Sequence, residues 1–165
     1  MRDLEIDEDL AFERREQRVE RIGLALLVAL VIAAALGLLG SGPLSHATTR
    51  ADGLTVDYQR FSRYQTSETL TLRLGAEAIE APEVRVWLDR GYLDGVRLES
   101  VVPPPVRVEG ASDRVVLVFA VAEPERPLSV TLTLQPDRIG RLHGRAGLED
   151  RVGESGVAFR QLVFP

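Results

Sequence analysis

Residues 128–135 read LSVTLTLQ: Leu128, Val130, Leu132 and Leu134 alternate with Ser129, Thr131, Thr133 and Gln135. Successive side chains of an extended chain point to opposite faces, so this period of two predicts a strand with one face buried. The pattern recurs on both sides. Upstream, Leu54, Val56 and Tyr58 alternate with Thr55, Asp57 and Gln59. Leu70, Leu72 and Leu74 alternate with Thr69, Thr71 and Arg73, and Val84, Val86 and Leu88 with Arg85, Trp87 and Asp89. Downstream, Val157, Phe159, Gln161 and Val163 close the chain. Val115 to Ala122 is apolar throughout, as in a strand covered on both faces, while Val96–Val102 and Gly140–Leu148 are weaker candidates.

Turn signals at Gly75, Asp94-Gly95, Glu109-Gly110, Pro124, Pro136-Asp137 and Gly153 separate these segments. No amphipathic helical pattern follows residue 45. The chain therefore predicts a mainly β domain over 54–165: an antiparallel β-sandwich of immunoglobulin-like size, with about seven or eight strands. A jelly roll or small barrel is the other closure open to such strands. Pro103-Pro104-Pro105 cannot donate ladder hydrogen bonds and marks a crossover between sheets. The last strand, ending Leu162-Val163-Phe164-Pro165, reads as a sheet edge, open to strand addition or blunted by its proline.

The N-terminal part obeys a different rule. Ile22 to Gly40 reads IGLALLVALVIAAALGLLG, 19 residues without a polar side chain. As a helix it is about 28 Å long, against a hydrocarbon core of about 30 Å. A single transmembrane helix is expected over 22–41, between a charged cytoplasmic tail (1–21) and a polar linker (42–53). Arg14, Arg15, Arg18 and Arg21 crowd the N-terminal flank, whereas only Arg50 and Arg60 follow closely after the apolar run. That asymmetry predicts an inner (cytoplasmic) membrane protein with its N-terminus inside and its C-terminal domain periplasmic or extracellular. Arg14, Arg18 and Arg21 share a helix face suited to anionic headgroups. The competing reading is a leader cleaved after Ser45-His46-Ala47; the long apolar run and eight acids in the tail argue against it. Ala25, Ala29, Ala33, Gly37 and Ser41 recur at spacing four, a stripe of small residues that would admit a partner helix.

The net charge is −5, and no basic run interleaves with aromatics, which excludes the usual footprint for nucleic acid. Cysteine is absent, removing disulfides, thiolate catalysis and Cys-ligated metals, and Met1 is the only methionine. Lysine and asparagine are absent too, a coding bias of GC-rich bacterial genomes. With His46 and His143 as the only histidines, no metal set and no catalytic triad is foreseen. Gly153-Glu154-Ser155-Gly156 lacks the spacing of a nucleophile elbow and reads as a hairpin loop. No cofactor and no enzymatic activity are expected.

Trp87, on the face of Arg85, and Tyr92, in a turn, are candidate partner-surface residues if solvent-side. A sandwich also commonly buries one Trp. The expected function is a protein-binding accessory or assembly module of a membrane complex. Its partners would be the lipid bilayer and another membrane or periplasmic protein, or a second copy of the chain. The alternative is a membrane-tethered β domain carrying a lipid or other apolar ligand.

Overall fold

The structure, a computed structural model, describes residues 10–35, 45–79, 82–149 and 156–165, with the side chains of the first helix described from residue 19. That helix, α1, spans Leu10–Ala35. It carries the apolar run from Ile22 to Ala35. The rest of the run lies outside the described residues, as do Gly37 and Ser41 of the small-residue stripe and the side chains of Arg14, Arg15 and Arg18. Among the described residues, no helix is long and apolar enough to cross a membrane. From Val19 to Ala35 every side chain is exposed except half-buried Ala33, and Arg21 is among the exposed ones.

From residue 45 onward the chain is a two-sheet β-sandwich with eleven described strands. They are β1 (His46–Ala51), β2 (Leu54–Gln59), β3 (Phe61–Arg63), β4 (Glu68–Leu74), β5 (Glu83–Asp89) and β6 (Val96–Val102). After these come β7 (Arg107–Gly110), β8 (Arg114–Ala120), β9 (Leu128–Pro136), β10 (Gly140–Leu148) and β11 (Gly156–Phe164). One sheet has the order β1-β2-β4-β9-β6, the other β3-β11-β10-β5-β8-β7.

Each alternating segment of the sequence is a strand, and three further strands raise the number above the seven or eight expected. The first, β1, occupies much of the expected linker, so the sandwich opens at His46 rather than at 54. It pairs with β2 from His46↔Gln59 to Ala51↔Leu54. The turn between them is Asp52-Gly53, whose positive φ values of 49° and 78° give the hairpin twist that Asp-Gly supplies without strain. The second, β3, runs parallel to β11, so the fold is not wholly antiparallel. This pairing also corrects the expected edge: β11 lies between β3 and β10, with Leu162 and Val163 near its end paired on both sides.

Inner-facing residues of both sheets build one core. Leu54, Val56, Leu70, Leu72, Leu132 and Leu134 meet Val86, Leu88, Phe119 and Phe159, each at most 2% exposed. Each such side chain contributes about 1.5–3 kcal/mol, which makes this burial the main force holding the sheets together. Phe159 packs edge-on to Tyr92 at 4.9 Å and against Tyr58 at 5.4 Å. Gly144 lets that ring lie flat on β10; a Cβ there would run into Phe159. Residues that pack this way on β10 are small, which is why its sequence pattern is weak.

The strand orders give the sandwich two unlike flanks. On one, β1 and β3 meet: the Arg60 N–H donates to the Ser45 carbonyl at 2.6 Å, and Ser45 Oγ donates to the Phe61 carbonyl at 3.1 Å. On the other lie β6 and β7, edges of opposite sheets, joined through the three prolines by the crossover they predict.

Candidate functional site

The β6–β7 flank exposes four large apolar side chains among the charged and polar Arg97, Glu99, Ser100 and Arg107. Leu98, Val102, Val106 and Val108 are 42%, 61%, 59% and 58% exposed. They follow one another along β6, the proline crossover and β7 as a ridge of exposed apolar residues; by register Leu98 and Val108 oppose core-facing Leu134 and Leu117, whereas Val102 opposes Thr131 on the outer face. The Val106 N–H is satisfied by the Val118 carbonyl at 2.8 Å. A bulge between Leu98 and Ser100 breaks the β6 ladder, and β7 is only four residues long. Both devices discourage simple edge-to-edge strand addition, so the ridge offers side chains rather than free ladder groups.

The β1/β3 flank carries a different surface. A cleft of about 560 Å³ is lined by Arg60, Arg141, His143 and Arg160 with Phe61, Leu162, Tyr58 and Gln161. No carboxylate lines it. The register explains the assembly: Arg141, Leu162 and Phe61 form one cross-strand row, and His143 and Arg160 form the next. Arg60, Arg141, His143 and Arg160 are all exposed.

Behind the cleft runs a buried polar chain. Gln161 accepts from the Tyr92 hydroxyl at 2.8 Å and donates through Nε2 to Glu68 at 2.9 Å, while Ser62 Oγ donates to the other Glu68 oxygen. Burial pushes the Glu68 carboxyl above the usual carboxylate range, and the hydrogen bonds from Ser62 and Gln161 only partly offset it. Burial, with Glu68 adding to it, also raises the Tyr92 phenol.

The three sequence-predicted surface residues fall elsewhere. Trp87 is 6% exposed and Tyr92 is 1% exposed, so neither presents an open ring. Tyr92 is drawn inward by α2 (Arg90–Leu93), a short helical turn capped by Asp89, whose side chain accepts from the Tyr92 N–H at 3.1 Å. Trp87 packs on the outer face of its sheet with Val116 and Val118. The guanidinium carbons of Arg114 and Arg145 lie 5.0 and 5.9 Å from its ring centroid. Arg85 is tied to Glu109 and Glu149, each at 2.5 Å. Arg107 first and Arg85 second hold the Glu109 carboxyl below its ordinary range.

A search against known protein families returned no match, and neither did one against curated proteins. Among solved structures the chain is similar to a cohesin module from a family 33 glycoside hydrolase of Clostridium perfringens. The identity is 11% and the TM-score 0.45, over 70% of this chain and 98% of that one. That level of similarity carries no functional information.

The basic cleft and the valine ridge were not singled out by the sequence reading. Arg141, His143 and Arg145 alternate along β10 and were legible as one polar face. Arg160 joins them across the β10–β11 pairing, and Arg60 is brought in beside the parallel β3–β11 pairing, which no local pattern announces. Among the described residues, no group of three or more His, Cys, Asp or Glu side chains is placed to hold a metal.

Proposed function

We propose that the chain is a single-pass membrane protein, N-terminus inside, whose exported sandwich of immunoglobulin-like size is a non-catalytic, protein-binding accessory module of a membrane complex. The observation that carries the binding role is the β6–β7 ridge. Leu98, Val102, Val106 and Val108 leave large apolar surface in water on the flank opposite β1 and β3. Large apolar side chains left in water are what a protein partner buries with gain. The occupant is a protein, because the bulge, the short β7 and the prolines oppose pairing with a bare strand.

The anchor is supported by α1. Ile22, Leu24, Leu26, Leu27, Leu30 and Val31 are each 58–67% exposed. A helix that is apolar all round calls for an apolar medium. In the sequence the run continues to Gly40.

The test is a photo-crosslinker at Val106 in native membranes, with a second at exposed Arg73 on the outer face of the other sheet. The reading expects a discrete adduct from 106, absent from 73 and absent when Val102 and Val108 are replaced by Asp. Equal crosslinking from both positions, or none from 106, counts against a dedicated flank.

A further inference from the structure

We infer that the cleft on the β1/β3 flank seats anionic phospholipid headgroups of the bilayer that α1 enters, holding the sandwich with β6–β7 turned away from the membrane. The inference rests on the proposed anchor and adds to it a lipid-binding site and an orientation.

Two observations select this occupant. The first is charge. Arg60, Arg141 and Arg160, with the His143 imidazole, converge on a cleft without a single carboxylate. Elsewhere on the same sheet, by contrast, Arg85 and Arg107 are paired with Glu83, Glu109 and Glu149. Arginine presents a fork of donors suited to phosphate oxygens. Leu162 and Phe61 follow Arg141 in one cross-strand row, an apolar floor suited to the glycerol and upper acyl region of a lipid.

The second is tether length. The Arg60 N–H is bonded to the Ser45 carbonyl, and Ser45 is five peptide steps from Gly40, the end of the apolar run. Five residues reach at most about 18 Å whatever their conformation. The cleft is therefore bound to stay near the headgroup layer that ends the apolar segment. The ridge sits on the opposite flank of both sheets.

The experiment uses the full chain reconstituted into vesicles of phosphatidylcholine alone, or with about one-third phosphatidylglycerol to supply surface charge. Because the chain has no cysteine, Leu162→Cys and Val108→Cys each give a single fluorophore site. Quenching by headgroup spin-labelled lipid reads the distance of each flank from the surface. The proposal expects strong quenching at 162 and weak quenching at 108, the contrast growing with phosphatidylglycerol and that gain fading in high salt. Each of Arg60→Gln, Arg141→Gln and Arg160→Gln should lower the docked-to-undocked ratio about fivefold. Equal quenching at the two positions, or no response to phosphatidylglycerol, overturns it. Protection of the cleft by an acidic peptide but not by anionic vesicles likewise overturns it and assigns the cleft to protein. Alkaline carbonate extraction of the same vesicles is independent of the cleft: retained protein with no docking rejects the cleft alone, and released protein rejects the anchor and the cleft with it.

Discussion

A Cβ built on Gly147 would lie 2.7 Å from the Trp87 indole, which crosses it from the neighbouring strand. Gly156 stands under the same ring, with a built Cβ at 2.6 Å. Two glycines thus form the floor on which the one tryptophan lies, with arginine stems and Val116 and Val118 around it. Gly147→Ala should therefore overpack the site and cost about 1–3 kcal/mol in urea unfolding. Pairing it with Trp87→Leu should recover part of that loss, since the two changes share one contact. Additive losses in the double variant would show that the ring and the glycine are energetically independent.

The Tyr92–Gln161 hydrogen bond gives a second expectation. Tyr92→Phe keeps the ring against Phe159 but leaves a buried Gln161 oxygen without its donor. The cost should be about 1–3 kcal/mol, measured by the unfolding midpoint. A neutral substitution would mean that water reaches Gln161 from the cleft.

Glu68 makes stability depend on pH. Its folded-state pKa is raised by burial, so the fold holds a proton that the unfolded chain has already released. The stabilisation is complete below the ordinary carboxylate range and is lost as pH rises through the raised value. The slope is at most about 1.4 kcal/mol per pH unit for one proton. Glu68→Gln should flatten unfolding curves taken from pH 4 to 8 (a range set by the ordinary carboxylate value) and leave the variant more stable than the parent at the upper end. A parent that gains stability over that interval through Glu68 would contradict the assigned direction.

Val102→Asp with Val106→Asp tests the ridge. Both positions are about 60% exposed, so the thermal midpoint should change little. Retention of the partner should fall at least about tenfold, because a desolvated carboxylate opposes burial. Unaltered capture of the same partner would move the interface elsewhere.

How much of this was legible in the sequence follows from what each element depends on. Strands such as β4 and β9 carry one buried face, and Leu70–Leu74 and Leu128–Leu134 announce it by period two. What escaped was short, polar or non-local. Thr48, Thr49 and Arg50 of β1 look like a linker, although Asp52-Gly53 is a hairpin signal that locates it. The three residues of β3 gain their place only by parallel pairing with a strand about a hundred residues later in the chain. Trp87 was correctly assigned to the outer face, but its burial comes from small neighbours, which hydropathy does not record. The crossover was legible because proline lacks the donor a ladder needs. The valines around it were not singled out, since exposed apolar residues look the same in sequence as buried ones.

The central claim, an anchored module exported with its β6–β7 ridge outward, meets its most direct test in cysteine labelling. Val108→Cys, the only thiol in the chain, is treated in intact spheroplasts with a membrane-impermeant maleimide. The account predicts full labelling without permeabilisation, in protein that remains with the membrane after alkaline carbonate. Labelling only after the membrane is broken, or release of the labelled protein into the carbonate supernatant, would contradict it.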